Sequence, residues 1–290
     1  MPGLDVLGGG EQILADARID RYRITEPEDG DSVTRVLFAN GFGESSNTWQ
    51  LLAERLVRIP VETGRVLEVF SYGESLTGPT AYQQSERDKR LREVTKYIVQ
   101  SESRRQPVIL MPHSRAEITV GNIGEELIRQ GLVSGIVSMA GAGHNPLDTG
   151  ELIDWAALSR SGRELLSLRN VRHGLGSLAV LHGFTDNIRR HVFSDLPRAR
   201  EEVKAILTTD ITPRTVVLSR LLGVRMVELV HLQDPFFPGV EVAEKLEGEF
   251  AGRIIPVDTS HNGFLVDPRL AGLLHRIITD VDRQSRAQAA

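Results

Sequence analysis

The 290-residue chain contains no cysteine. This absence excludes disulfide bonds, thiolate-ligated metal sites and a cysteine nucleophile, although it does not determine the cellular compartment. The chain also has no apolar run approaching the ~18 residues that suggest a membrane-spanning helix, so we expect no stable membrane insertion. The N-terminal segment has an early acidic residue and no apolar core typical of a signal peptide. We therefore expect a cytoplasmic protein.

The sequence has no excess of positive charge either. The formal net charge is -5, which argues against nucleic acid as the main partner. The hydrophobic fraction of 40% and the charged fraction of 25% are ordinary for a soluble globular protein. These values leave the oligomeric state open.

Predicted strands and helices alternate along most of the chain. Apolar, β-forming runs occur at VTRVLFA, RVLEVFSY, VILM, VSGIVSM, MVELVHL and RIIPV. Segments of helical pattern follow or separate them, at about 45–56, 79–101, 117–128, 240–246 and 268–281. This order predicts an α/β protein with a mostly parallel central sheet and helices on both faces. Residues 12–26 suggest two further short strands, and the last residues suggest a frayed terminus.

The alternation stops between His144 and Arg225. This stretch is polar, helical in pattern and without a convincing strand. It carries eleven arginines and one lysine against nine acidic residues, so it is formally +3 while the rest of the chain is -8. We interpret residues 144–225 as a helical cap inserted between two parts of a core, residues 1–143 and 226–290. Its arginines are either solvated helix faces or groups that attract anionic substrates.

Three polar residues follow predicted strands, at the sheet edge where parallel sheets bind ligands. Ser114 follows VILMPH, Asp234 follows VELVHLQ and His261 follows IIPVDTS. Ser114 stands in a strand-to-helix turn with almost no loop, which forces its side chain to protrude. Histidine can remove the hydroxyl proton of a serine, and aspartate can orient the histidine. The order serine, aspartate, histidine therefore predicts a catalytic triad on a strand-turn-helix nucleophile.

The oxyanion formed in such chemistry needs backbone donors. One candidate is the N–H of Arg115, at the start of the helix that follows the serine. The second is the N–H of Phe42, in the loop after VLFA. Gly41 and Gly43 flank Phe42 and allow the backbone to approach a substrate closely.

Four motifs give the chain a resemblance to the α/β-hydrolases over nearly its whole length. They are Asn40-Gly41-Phe42-Gly43, Pro112-His113-Ser114-Arg115-Ala116, Asp234-Pro235-Phe236-Phe237-Pro238 and Ser260-His261-Asn262-Gly263-Phe264. The resemblance implies a Ser114 nucleophile, an Asp234 acid, a His261 base and an oxyanion hole formed by Phe42 and Arg115. It also implies a cap domain after the sixth strand, which matches the break at 144–225. We expect a small-molecule acyl substrate, no cofactor and no metal.

The chain departs from the pattern of that family at two places. Pro112 and Ala116 stand where the motif Gly-x-Ser-x-Gly has its glycines. The turn needs small neighbours; Ala116 is small, and Pro112 has a fixed φ and no N–H but no large side chain. Asn40 stands where the family usually has histidine. Since the oxyanion donors are backbone groups, we expect little loss from this change.

Rival residues exist for the acid and for the base. Asp148, which follows the strand VSGIVSM, is an alternative acid, because some hydrolases of this family place theirs there. Asp234 could instead be only a turn residue before a proline. His231 is an alternative base, but it lies inside a predicted strand, which favours a structural role.

No other motif suggests a metal or nucleotide site. Four further histidines lack metal-ligand spacing, and solvated surface positions are expected for them: His144, His173, His182 and His191. The stretch GFGESS imitates a dinucleotide-binding turn, but Ser46 stands where the third glycine belongs. In addition, the acid near the end of the next strand, Glu68, is followed by more strand.

These observations predict a serine hydrolase that cleaves a carboxylic ester, thioester or lactone through an acyl-enzyme intermediate. One alternative is a lyase or carbon–carbon bond hydrolase on the same triad. Another is a hydrolase-like protein that binds a small molecule without turnover. Haloalkane dehalogenases and epoxide hydrolases resemble this pattern but use aspartate where Ser114 stands. The sequence does not specify the substrate.

Overall fold

The computed structural model describes most of the chain outside the N-terminus and the middle stretch. The described residues are 19–24, 32–42, 44, 46–61, 65–73, 84–101, 105–144, 189, 196–221, 224–234 and 236–289. Seven strands occur within them: β1 (Ile19–Tyr22), β2 (Ser32–Ala39), β3 (Arg65–Tyr72), β4 (Val108–Pro112), β5 (Val133–Met139), β6 (Arg225–His231) and β7 (Arg253–Val257). They form one sheet in the order β1-β3-β2-β4-β5-β6-β7.

The described helices connect these strands. They are α1 (Ser46–Arg58), α2 (Gln84–Gln100), α3 (Ala116–Arg129), α4 (Leu196–Thr208), α5 (Thr212–Ser219), α6 (Gly239–Leu246), α7 (Gly263–Val266) and α8 (Pro268–Ala289). None of the helices in the described ranges is both long and apolar enough to span a bilayer.

The predicted architecture is confirmed. Every neighbouring pair in the sheet is parallel except β1 and β3. The sheet buries both faces, as the nearly continuous apolar strands require. One face packs against α1, α7 and α8 through a core that includes Trp49, Phe264 and Leu274. The other packs against α2, α3 and α5 through residues such as Leu91 and Leu127.

Two predictions at the ends of the chain need correction or completion. Of the two strands expected in 12–26, β1 is described and pairs with β3, while residues 12–18 and 25–26 lie outside the described part. The last helix continues to Ala289, so the prediction of a frayed terminus is wrong for these residues. The physical reason is that Val281, Asp282 and Ser285 are buried, and the Ser285 hydroxyl donates to the Ser134 carbonyl at 2.7 Å.

Helix α8 lies directly against the backbone of β5. A Cβ atom at Gly135 would lie 2.3 Å from Cγ1 of Val281, which is closer than any side chain permits. The hydroxyl of Thr34, at the start of β2, also donates to Asp282 Oδ2 at 2.9 Å. The glycine therefore allows α8 to close one face of the sheet.

The stretch interpreted as a cap is described only in part, at 144, 189, 196–221 and 224–225. Helices α4 and α5 fall within it and agree with its helical pattern. Asp148, His173, His182 and His191 lie outside the described residues.

Candidate active site

Ser114 occupies a strained turn between β4 and α3. Its φ is 53°, in the left-handed region that a non-glycine residue rarely adopts. Backbone hydrogen bonds hold this conformation from both sides. The N–H of Ser114 donates to the Met139 carbonyl at 3.0 Å, and its own carbonyl accepts from Ala142 at 3.1 Å and from Glu117 at 3.0 Å. The backbone is thus fixed in the conformation that makes the serine protrude.

The two residues that replace the glycines of the motif fit this turn. Pro112 is the last residue of β4 and lies opposite Ala39 of β2. Ala116 is the first residue of α3, is buried, and donates its N–H to the His113 carbonyl at 3.0 Å. The missing N–H of the proline therefore falls at the strand end, and the small alanine fills the crowded start of the helix.

His261 and Asp234 are brought together at the same edge of the sheet. His261 Nδ1 lies 2.6 Å from Asp234 Oδ2. Asp234 Oδ1 accepts the N–H groups of Phe236 at 2.8 Å and Phe237 at 3.0 Å, so the aspartate is also a turn residue. Burial by itself would raise the pKa of the Asp234 carboxyl, but His261 and these two N–H groups lower it below the ordinary value. The carboxylate is therefore ionised and oriented toward the imidazole.

Ser114 and His261 are both buried, and each remains 7% exposed. Within the described part of the chain, the Ser114 hydroxyl makes no hydrogen bond to His261. The rings of Phe236 and Phe237 flank the imidazole at centroid distances of 5.3 and 5.5 Å. In structures without substrate, hydrogen bonds between nucleophile and base are often long and tighten only when substrate binds.

The two residues predicted to supply the oxyanion hole lie in loops at this same edge. Phe42 follows β2 and Arg115 precedes α3, and β2 neighbours β4 in the sheet. A Cβ atom at Gly41 would lie 3.0 Å from the His113 carbonyl oxygen, so the loop backbone lies directly against the nucleophile turn. No described residue accepts a hydrogen bond from the N–H of Phe42.

Asn40 braces this loop. Its Nδ2 donates to the Tyr72 carbonyl at 2.8 Å, and its Oδ1 accepts from Trp49 Nε1 at 2.9 Å. Asn40 is buried and ties the end of β2 to β3 and α1. Both amide atoms of Asn40 are used in these contacts, so the side chain has a structural role. This agrees with the expectation that backbone groups, and not Asn40, would bind the oxyanion.

Neither a protein-family model nor a curated protein sequence matches the chain. Solved structures do. A thermophilic esterase from Thermogutta terrifontis is 12% identical with a TM-score of 0.63, covering 91% of this chain and 93% of its own. An enol-lactonase from Burkholderia xenovorans LB400 is 12% identical (TM-score 0.61, covering 91% and 95%), and an esterase from Exiguobacterium antarcticum is 13% identical (0.59, 91% and 95%). The chain has the α/β-hydrolase fold.

This chain contains a buried ion pair beside Ser114 that sequence reasoning missed. The Glu44 carboxylate accepts the Gly41 N–H at 2.5 Å and makes a short contact with His113 Nδ1. His113 Nε2 lies 3.0 Å from the His261 carbonyl oxygen. Because both ring nitrogens face acceptors, only the protonated imidazole can donate to both. The motif places His113 next to Ser114, but nothing in the sequence pairs it with Glu44.

The charge on His113 links stability to pH. Burial lowers the pKa of His113, but Glu44, the His261 carbonyl and Asp234 together more than offset this, so the pKa lies above the ordinary value of 6.5. The ion pair therefore stabilises the folded state fully at pH values below the ordinary pKa of 6.5. This contribution is lost as the pH rises through the higher pKa that His113 has in the folded state.

We predict that Glu44→Gln lowers the free energy of unfolding by about 1–3 kcal/mol near pH 6. Glutamine keeps the size of the side chain and removes the charge that holds the proton on His113. The difference from the wild type should shrink as the pH is raised through the neutral range, as urea unfolding at several pH values would measure. Glu54→Gln on α1 is the control. A difference independent of pH would show that His113 is not charged.

The side chain of Arg115 is not a free cation, because it pairs with an acidic residue. Its Nε lies 2.7 Å from Glu202 Oε1, and Nη2 of Arg87 lies 3.0 Å from the same oxygen. All three side chains are buried. Glu202 belongs to α4, so this cluster joins the described part of the middle stretch to α2 and to the turn at Ser114.

His231 lies at the end of β6, as predicted, with Nδ1 3.0 Å from the Ser260 carbonyl oxygen. Burial lowers the pKa of His231 to about 3, which keeps its ring neutral. It lies behind the loop that carries His261.

The prediction that His144 lies at the solvated surface is wrong. This residue is 0% exposed, and burial lowers its pKa to about 4. Burial raises the pKa of Glu117 to about 7, and burial together with Glu117 raises the pKa of Glu228. Glu117, Glu228 and His144 lie on separate elements, so no local sequence pattern relates them.

Proposed function

We propose that this chain is a serine hydrolase that cleaves a carboxylic ester, thioester or lactone through an acyl-enzyme intermediate. The observation that carries the proposal is the 2.6 Å contact of His261 Nδ1 with Asp234 Oδ2, at the sheet edge where Ser114 is held with a φ of 53°. An oriented histidine beside a strained, protruding serine is the arrangement that activates a hydroxyl for acyl transfer.

The mechanism follows from these roles. Substrate binding brings the Ser114 hydroxyl to His261 Nε2, which takes the proton as the oxygen attacks the acyl carbon. Asp234 stabilises the imidazolium, and the N–H groups of Phe42 and Arg115 stabilise the oxyanion. The imidazolium then protonates the leaving group. Water, deprotonated by His261, attacks the acyl-serine, releases the acid and restores the free hydroxyl.

We infer that residues 144–225 form a cap next to this site. The support is the buried cluster in which Glu202 of α4 pairs with Arg115, the residue that follows Ser114. The cap would then shape the acyl pocket, and the fold by itself does not set the substrate. The esterases and the enol-lactonase named above act on the substrate classes we propose, and their names favour ester and lactone substrates for a first screen.

A fluorophosphonate probe tests the proposal, combined with a screen of p-nitrophenyl esters of increasing chain length. We expect rapid labelling of the peptide that contains Ser114 and ester turnover with a defined chain-length optimum. Absence of labelling would favour the alternative of a binding protein without turnover. Labelling without turnover of any ester, thioester or lactone would favour a lyase or carbon–carbon bond hydrolase.

The positive charge of the inferred cap leads us to predict a preference for anionic substrates. At low salt, kcat/KM for an ester that carries a carboxylate should exceed that for its neutral analogue by about tenfold, because clefts of one charge raise the local substrate concentration. The advantage should decline as NaCl is added, since salt screens the attraction. Equal kcat/KM values for the two esters, insensitive to salt, would place the arginines on a solvated face.

A further inference from the structure

Three buried side chains converge behind the nucleophile turn. Glu117 lies in the first turn of α3, Glu228 lies in β6, and His144 follows β5 at the start of the inferred cap. Each is 0% exposed. One donor atom from each residue lies within 4.8 Å of those from the other two. This cluster is separate from the triad, and the proposed hydrolysis does not use it.

Four polar atoms of this cluster have no hydrogen-bond partner among the described residues. They are Oε1 of Glu117, both carboxyl oxygens of Glu228 and Nε2 of His144. Buried polar atoms are rarely left in this condition, because each costs the free energy of its lost hydration. The Ser138 hydroxyl and the Gly141 N–H lie near Glu228 and reduce its electrostatic cost only in part.

In Glu117 and His144, the other polar atom of the side chain makes a contact. The Ser138 hydroxyl donates to Glu117 Oε2 at 2.5 Å, and His144 Nδ1 lies 3.4 Å from Thr212 Oγ1. These contacts use Oε2 of Glu117 and Nδ1 of His144 and leave Oε1 and Nε2 without a partner. Metal ligands in proteins are oriented in the same way by a second contact.

The two carboxyl groups of the cluster suit a cation. Two buried carboxylates repel each other, and buried charges are paired or bind metals. A divalent cation would neutralise both at once. Imidazole nitrogen with carboxylate oxygen suits Zn²⁺ and related transition metals, whereas Ca²⁺ and Mg²⁺ prefer oxygen ligands alone.

We propose that Glu117, His144 and Glu228 form a binding site for a divalent transition-metal cation such as Zn²⁺. Bonds of about 2.0–2.2 Å place ligand atoms of one zinc roughly 3–4 Å apart, so small side-chain rotations would complete the site. The bound cation would join the start of the inferred cap to α3 and β6, one helical turn from Ser114. This proposal departs from the sequence-based expectation of no metal.

Metal uptake by the full chain, produced without a histidine tag and treated with a chelator, tests the site. We expect one zinc ion per chain by elemental analysis after gel filtration, and a higher midpoint of thermal unfolding when Zn²⁺ is added. Co²⁺ in its place should give visible d–d absorption. Glu228→Gln and His144→Asn should each weaken zinc binding by at least about 100-fold, since each removes a ligand.

The control variants are His275→Asn on α8 and Glu126→Gln on α3, which should bind zinc like the wild type. Glu228→Gln keeps the size and shape of a buried, unpartnered carboxyl group and adds no charge, so we expect it to fold. If a ligand variant fails to fold, Ser138→Ala keeps all three ligands and should weaken binding about 10- to 100-fold. The proposal is overturned if the wild type takes up no zinc, as when the two carboxyls merely share a proton. It is also overturned if the ligand variants bind zinc as tightly as the controls.

Discussion

Substitution of Ser114 by alanine should lower turnover of the true substrate by about a million-fold, and His261→Ala should have nearly the same effect, by analogy with serine proteases that lack a triad residue. The reason is that the two residues act as one unit. Without the hydroxyl there is no acyl-enzyme, and without the imidazole the hydroxyl keeps its proton. The small residual rate would come from backbone donors and substrate binding. The measurement is kcat/KM on the best substrate of the ester screen, together with fluorophosphonate labelling.

The controls for this pair are Ser101→Ala at the exposed end of α2 and His275→Ala on α8. Both substitutions change the same residue type and should leave turnover within about twofold of the wild type, because neither residue lies at the sheet edge that holds the site. Near-normal activity of Ser114→Ala would show that another group is the nucleophile.

Asp234→Asn should lower kcat/KM by about ten-thousand-fold, again by analogy with the triad of serine proteases. Asparagine matches the shape of aspartate and can still accept the N–H groups of Phe236 and Phe237. However, its amide cannot stabilise the imidazolium, and it can donate to Nδ1 and trap the wrong tautomer of His261. Asp258→Asn, an exposed residue after β7, is the matched control.

The same experiment decides between the two acids proposed from the sequence. If Asp234→Asn keeps most of its activity while Asp148→Asn loses it, the acid is Asp148. The 2.6 Å contact with His261 favours Asp234, and only the kinetics of both variants can exclude Asp148.

The parts of the fold and site that could be predicted are those that depend on local patterns of apolar and polar residues. Buried parallel strands are continuous apolar runs, and helices between them carry a periodic apolar face, so the sheet could be predicted. The polar residues after VILM, VELVHL and IIPV could be placed at one edge because parallel strands end there together. That reasoning correctly brought His261 and Asp234 to the same edge as Ser114.

The features that escaped prediction depend on contacts between distant segments. Glu44 contacts His113, and Glu117 lies close to His144 and Glu228, only because the strand order places their elements side by side. A histidine in a polar stretch looks solvated in sequence, and only the packing around α3 and β6 buries His144. The full length of α8 was also missed, because its last turns carry many charged residues. Their contacts with the sheet, through Val281, Asp282, Ser285 and Arg286, form no apolar pattern in the sequence.

The contact of Val281 with the backbone at Gly135 has a consequence for how the protein is made. During synthesis, β2 to β5 emerge from the ribosome well before α8, and the part of this sheet face that α8 covers stays exposed until residues near 281 have been translated. The contact of Val281 with Gly135 and the hydrogen bond from Thr34 to Asp282 can form only after that point. Folding of this face is therefore completed after translation of the core, and the unfinished chain is the state most exposed to aggregation and most dependent on chaperones.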